Sequence, residues 1–153
     1  MSLIKFCKKY IRGTASKAPV IELSILLCNL TKTVQKVCKL ETQKVHVTTK
    51  VLKHLYDSKP AEEFDFIIRH VFKLIKYPDQ IYENKSSKRG DLCFVKTIKC
   101  EKYIASIEVF IEISENGKDV EVNYAVTAFR IRKDNYLKNY KLLWSWKGDN
   151  PSS

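Results

Sequence analysis

Apolar residues recur at helical spacing through Val51, Leu52 and Leu55, and again through Phe64, Ile67, Ile68, Val71 and Ile75, which predicts two consecutive helices. Thr48 or Thr49 can cap the first, a short helix over Val51 to Asp57. The second opens after Pro60, and Glu62, Glu63 and Asp65 in its first turns favour the positive end of the helix dipole. Tyr77-Pro78 ends it, because proline disfavours helix at the residue before it, and Pro78-Asp79 turns the chain into an extended run from about Ile81. All three histidines fall in this region. His46 sits on a short extended segment, His54 beside the first apolar stripe, and His70 at helical spacing from Phe66, Ile67 and Leu74, where a structural role is expected.

Upstream, Pro19 followed by Val20, Leu23, Leu27, Leu30, Val34 and Val37 predicts one long helix to about Leu40. Its stripe suits the domain core or a partner helix, so residues 19–40 are a candidate oligomer contact. Ile4, Cys7 and Ile11 alternate with Lys5, Lys8, Lys9 and Arg12 in a short basic amphipathic helix, which fits a solvated surface helix or peripheral membrane binding. Glu22 and Asn29 interrupt the apolar run from Ala18 to Leu30, and it is too short to span a bilayer, so no stable membrane insertion is expected.

Beyond Ile81 the period changes. Asn84 to Asp91 has no apolar residue and predicts an exposed loop, after which Leu92 to Ile98, Tyr103 to Ile113 and Asp119 to Ile131 have the β-branched, alternating pattern of strands. A two-residue turn at Asn116-Gly117 would pair Ile113 with Val120, Ile111 with Val122, Val109 with Tyr124 and Ile107 with Val126 on a core face. The same register sets Ser106 opposite Thr127, Glu108 opposite Ala125, Phe110 opposite Asn123 and Glu112 opposite Glu121 on a half-polar face. The expected class is α+β, N-terminal helices followed by a roughly four-stranded antiparallel sheet with one side partly open. Residues 1–43 read as a helical extension packing on or docking beside the core, 44–147 as the α+β domain and 148–153 as a flexible tail.

Composition adds a partner class. The chain has 153 residues and a formal net charge of +11, an excess that favours polyanions, RNA first, and then an acidic protein such as an inhibitor or immunity protein. Five cysteines without a C-x-x-C pair suggest reduced, mostly buried thiols and a cytoplasmic site of action. Between Arg130 and Trp146, cations interleave with Tyr136, Tyr140, Trp144 and Trp146, a pattern that suits a nucleic-acid strand and equally a terminal segment packed on the core. No Gly-rich phosphate loop, H-E-x-x-H or G-x-S-x-G occurs, so no cofactor or metal is expected. Metal-independent cleavage of RNA needs only a base, an acid and phosphate-binding groups, which histidine, arginine, lysine and threonine supply.

The order V-x-V-T-T-x-V-L-K-H-L (Val45 to Leu55), I-K-Y-P-D-Q-I (Ile75 to Ile81), a strand carrying Lys96, and V-T-A-F-R-I (Val126 to Ile131) resembles the phage-associated nuclease domains of the barnase/EndoU/colicin/RelE-like superfamily. The resemblance runs from Lys44 to Trp144 and leaves the first 40 residues outside it. It implies a small α+β domain acting as a metal-independent endoribonuclease, often as a toxin, with the helix histidine on His54 and the hydroxyl of the last strand on Thr127. In that reading His54 is the general acid or base, either of which an imidazole can be, and Thr127 hydrogen-bonds the scissile phosphate. Arg89, with Lys88, would clamp the phosphate from the loop, and Lys96 and Arg130 are the cations nearest the sheet face. The contrasting reading is a basic binding module, for RNA or an acidic protein, that does not cut.

Overall fold

A computed structural model describes residues 1–84 and 92–146. Lys88 and Arg89, the loop clamp, and the expected tail 148–153 lie outside the described residues. In chain order the elements are α1 (Leu3–Tyr10), β1 (Ser24–Asn29), α2 (Lys32–Cys38), β2 (Lys44–Thr48), α3 (Thr49–Ser58), α4 (Ala61–Lys76), β3 (Gln80–Glu83), β4 (Leu92–Ile98), β5 (Glu101–Ile113), β6 (Asp119–Arg130) and β7 (Lys141–Ser145). The class is α+β. One sheet runs β1-β2-β6-β5-β4-β3-β7. It is mixed: β2 and β6 are parallel and every other pair is antiparallel.

The sheet therefore has seven strands instead of four, and helices and strands alternate before the meander. The expected strands form its contiguous middle, β6-β5-β4-β3, and the additions are β1 and β2 on one edge and β7 on the other. The single helix expected from Pro19 to Leu40 is instead a strand, a link and a short helix. Two local features divide it. The Thr31 side chain accepts a hydrogen bond from the Val34 amide at 3.2 Å and starts α2 there, while the Leu30 amide donates to the Gln43 carbonyl at 2.7 Å and holds the link beside β2. Leu30 and Val34 do enter one core, but as neighbours from a link and a helix. The stripe offered to a partner helix is thus not a helix face.

The short elements behave as their caps dictate. Thr48 caps α3 by accepting from the Val51 amide at 3.2 Å, and α4 ends at Tyr77, before Pro78. On one side of the sheet, α4 packs Ile67, Val71, Leu74 and Ile75 against Ala105, Ile107, Ala125 and Ala128. Beside it, Phe6, Cys7 and Ile11 of the N-terminal segment pack with Leu52, Leu55, Phe64 and Ile68. On the other side a smaller cluster of Cys93, Val95 and Ile104 is covered by Tyr82, Phe129, Ile131, Leu137 and Tyr140. Half of the aromatic tail is consumed in packing, and Tyr136 stays exposed. Tyr140 joins that cluster and Trp144 the main core, leaving Trp146 the exposed indole at 43 %. No cysteine is in a disulfide, and burial pushes the thiols of Cys7 and Cys28 up to about 11 and that of Cys38 to about 12.

The β5–β6 hairpin forms with a different turn. Ser114 accepts from the Gly117 amide at 2.9 Å and its own amide donates to Lys118 at 2.8 Å, so three residues, Glu115 to Gly117, make the loop. Gly117 has φ +76°, the left-handed conformation that closes such a loop. The extra loop residue shifts the register by one. Ile113 faces Asp119, Glu112 faces Val120, Ile111 faces Glu121 and Phe110 faces Val122. Val120, Val122 and Tyr124 consequently lie on the opposite face from Ile107, Val109, Ile111 and Ile113. The shift relieves the clash of Glu112 with Glu121 by sending the two carboxylates to different faces. An irregularity between Ser106 and Ile107 then takes up one residue of β6, and Ser106 meets Thr127 as expected.

Candidate functional site

His54 lies on α3 between buried residues, with Leu52, Lys53 and Leu55 turned inward and the imidazole exposed. It makes no hydrogen bond among the described residues; its charged neighbour is Asp57, on the next turn. The polar centre of α3 is Lys53. This lysine is 6 % exposed, and its Nζ donates to Thr14 Oγ1 at 2.8 Å, the Ala15 carbonyl at 2.6 Å and Asp57 Oδ1 at 2.8 Å. Those bonds pin the segment after α1 to α3, and the lysine bond is the main reason the Asp57 carboxyl sits below its usual range.

Thr127 is half-buried and shares a cross-strand row with Cys93 and Ser106. Lys96, Tyr103 and Arg130 form the parallel row three residues along, so they point to the other face. Thr127 and the two cations expected to border it are therefore separated by the sheet. β2 leaves β6 after Tyr124, and there the edge of β6 at Thr127 abuts an apolar cavity lined by Leu52 and Leu55. His54 does not line that cavity. Lys96 is held by the chain itself, donating to the Tyr77 carbonyl at 2.8 Å and to Asp79 at 3.3 Å, while Asp79 also accepts from the Thr97 amide at 2.8 Å. These bonds lock the turn after α4 onto β4.

What the fold assembles instead is a cluster at the end of β6. Arg130 pairs with Glu101 at 3.9 Å, and Arg132 contacts Glu63 of α4, whose other oxygen lies 4.0 Å from Lys59. The Glu63 side chain is 8 % exposed, and its Oε2 and the Arg130 Nε are buried without a hydrogen-bond partner. Tyr103 lies beside them; burial above all raises its hydroxyl pKa, with Arg130 opposing. Phe66 stacks on Tyr103 with centroids 4.8 Å apart and 19° between planes, and His70 sits 4.2 Å from Phe66. Two guanidiniums two residues apart at a strand end have the fork geometry that suits a phosphate, although each already faces a carboxylate, Glu101 or Glu63. Of this cluster Arg130 alone was singled out from sequence. The legible signal was the R-I-R alternation at Arg130 to Arg132, which sets both guanidiniums on one side; nothing local ties Glu63 to them, since the contact spans the chain from α4 to β6.

On the open face His46 lies 6.0 Å from Tyr124, whose hydroxyl donates to Glu112 at 2.8 Å. Burial, then Lys44, lowers the His46 pKa against the pull of Glu112, and burial with Arg69, Lys99 and Lys73 lowers that of His70. Both fall below 6.5, so between the folded values and 6.5 the unfolded chain binds more protons than the folded one, and stability rises with pH in that window. Urea midpoints are therefore expected to drop as pH falls from 7 towards 5, and His70→Gln should flatten the curve; an equal slope in the variant would assign the dependence elsewhere.

Among the described residues no group of three or more His, Cys, Asp or Glu side chains is placed to hold a metal ion, and no helix is long and apolar enough to cross a membrane. Comparison with known protein families, curated proteins and solved structures finds no match to this chain.

Proposed function

We propose that this chain is a basic module that binds RNA, with the Arg130–Arg132 cluster as one phosphate contact. The observation that carries this is the distribution of unpaired charge. Residues 1–79 use four of their seven carboxylates in ion pairs, Asp65 on Arg12, Asp57 on Lys53, Glu63 on Lys59 and Arg132, and Asp79 on Lys96. Lys5, Lys8, Lys9, Lys32, Lys50 and Lys73 have no carboxylate in ion-pair range among the described residues. A surface on which unpaired cations outnumber unpaired carboxylates attracts phosphates and releases counterions on binding them.

Metal-independent endoribonuclease activity of the toxin type is the second reading. The exposed imidazole of His54 favours it, as does Glu63, a buried carboxylate in contact with Arg132 whose Oε2 accepts no hydrogen bond. In this reading a base takes the 2′-hydroxyl proton, an acid protonates the leaving 5′-oxygen, and the guanidiniums stabilise the phosphorane. One experiment separates the readings: total RNA is incubated with the protein in EDTA and both gel shift and cleavage are followed, for the wild type, His54→Ala, Thr127→Ala and Glu63→Gln. A shift with intact RNA is the result expected of the binding module. Cleavage in EDTA that one substitution abolishes would replace it with the nuclease and identify the base or acid, whereas neither shift nor cleavage would reject both.

A further inference from the structure

The far end of the β5–β6 hairpin differs in charge and burial from the rest of the molecule. Ile111 and Ile113 are 62 % and 77 % exposed, on the face that carries Ile107 into the core further along the same strand. Their cross-strand partners on that face are Glu121 and Asp119. Between Glu108 and Glu121 the sequence holds five carboxylates and one lysine, in a chain whose net charge is +11. Such a strip repels a polyanion, so it lies outside the RNA reading. Adjacent exposed isoleucines rimmed by carboxylates mark a contact surface for something apolar and cationic.

The same molecule offers that chemistry elsewhere. Residues 1–21 contain five cations and no carboxylate. In α1, Phe6 and Cys7 face the core, while Ile4, 51 % exposed, shares the outer side with Lys5 and Lys8 at helical spacing. Apolar and charged positions thus match in kind: two isoleucines with two carboxylates on the hairpin, one isoleucine with two lysines on the helix.

We propose that the Ile111–Ile113 face of the hairpin docks on the outer face of α1 in a second copy of the chain. Ile111 and Ile113 cover Ile4, and Asp119 and Glu121 pair with Lys5 and Lys8. Because each copy carries both halves, two copies exchanging the contact form a closed pair. Sedimentation velocity of the full chain tests this across ~1 µM to ~1 mM protein, a range spanning weak to moderate association. The expected result is a dimer at low salt that dissociates near ~1 M NaCl, where charges are screened within about 3 Å. Asp119→Lys with Glu121→Lys should be monomeric, and so should Lys5→Glu with Lys8→Glu. Mixed together, these two variants should dimerise, since both contacts are then complementary again, which also shows that each is folded. A monomer at every concentration in low salt, a dimer indifferent to either reversal, or a mixture that stays monomeric overturns the proposal.

Discussion

A chain that starts at Lys44 is expected to lose cooperative unfolding altogether. The first 43 residues supply Phe6, Cys7, Ile11, Cys28, Leu30, Val34 and Leu40 to the buried cores. Burying each large apolar side chain contributes roughly 1.5–3 kcal/mol, and the summed loss is comparable to the whole of the roughly 5–15 kcal/mol by which domains are typically stable. Polar losses add to it. Without residues 1–43 the buried Lys53 ammonium keeps Asp57 but loses Thr14 and Ala15, and β2 loses the whole of its antiparallel partner β1. Near-UV circular dichroism and urea denaturation of the 44–153 fragment check this. A fragment with a sharp transition close to that of the full chain would show that the N-terminal segment is an appendage.

Affinity for single-stranded RNA is expected to fall by about 300-fold between 50 and 200 mM salt, the response of a protein that neutralises roughly six phosphates of a single strand. The free lysines of α1, α2, α3 and α4 and the Arg130–Arg132 pair are more than sufficient for that number. Arg130→Ala with Arg132→Ala should weaken binding and reduce the slope of log affinity against log salt by about 1.4, roughly 0.7 for each lost phosphate contact on a single strand. Fluorescence anisotropy titrations at four or five salt concentrations measure both quantities, with thermal melts of the variant confirming that the fold survives loss of the Arg132–Glu63 pair. A flat response would remove RNA as the ligand and leave the acidic-protein reading to be tested with a salt-insensitive interface in mind. An unchanged slope in the double variant would move the phosphate contacts to the helices.

Local chemistry determined much of this protein by itself. Thr48, Pro60 and Pro78 bound α3 and α4 because capping and proline sterics act within a few residues, and the period-2 runs from Leu92 onwards became strands for the same reason. Net charge and the missing motifs likewise need no coordinates. From Pro19 to Leu40 the helical spacing misled, because leucines at that spacing can come together through a strand, a link and a helix just as well as along one helix face. Pairing of β1 with β2 decided between them, and no residue near Leu27 records that partner. The hairpin was legible as a hairpin, but its register turned on one loop residue, which moved Val120, Val122 and Tyr124 to the other face. Sites suffer most from this limit. Thr127 and Arg130 are three residues apart in sequence, and the alternation of a strand places them on opposite faces; Glu63 and Arg132 are far apart in sequence, and the packing of α4 against the end of β6 brings them into contact. Side-chain chemistry is written locally, whereas the company each side chain keeps is set by strand order and helix packing, which depend on the whole chain at once.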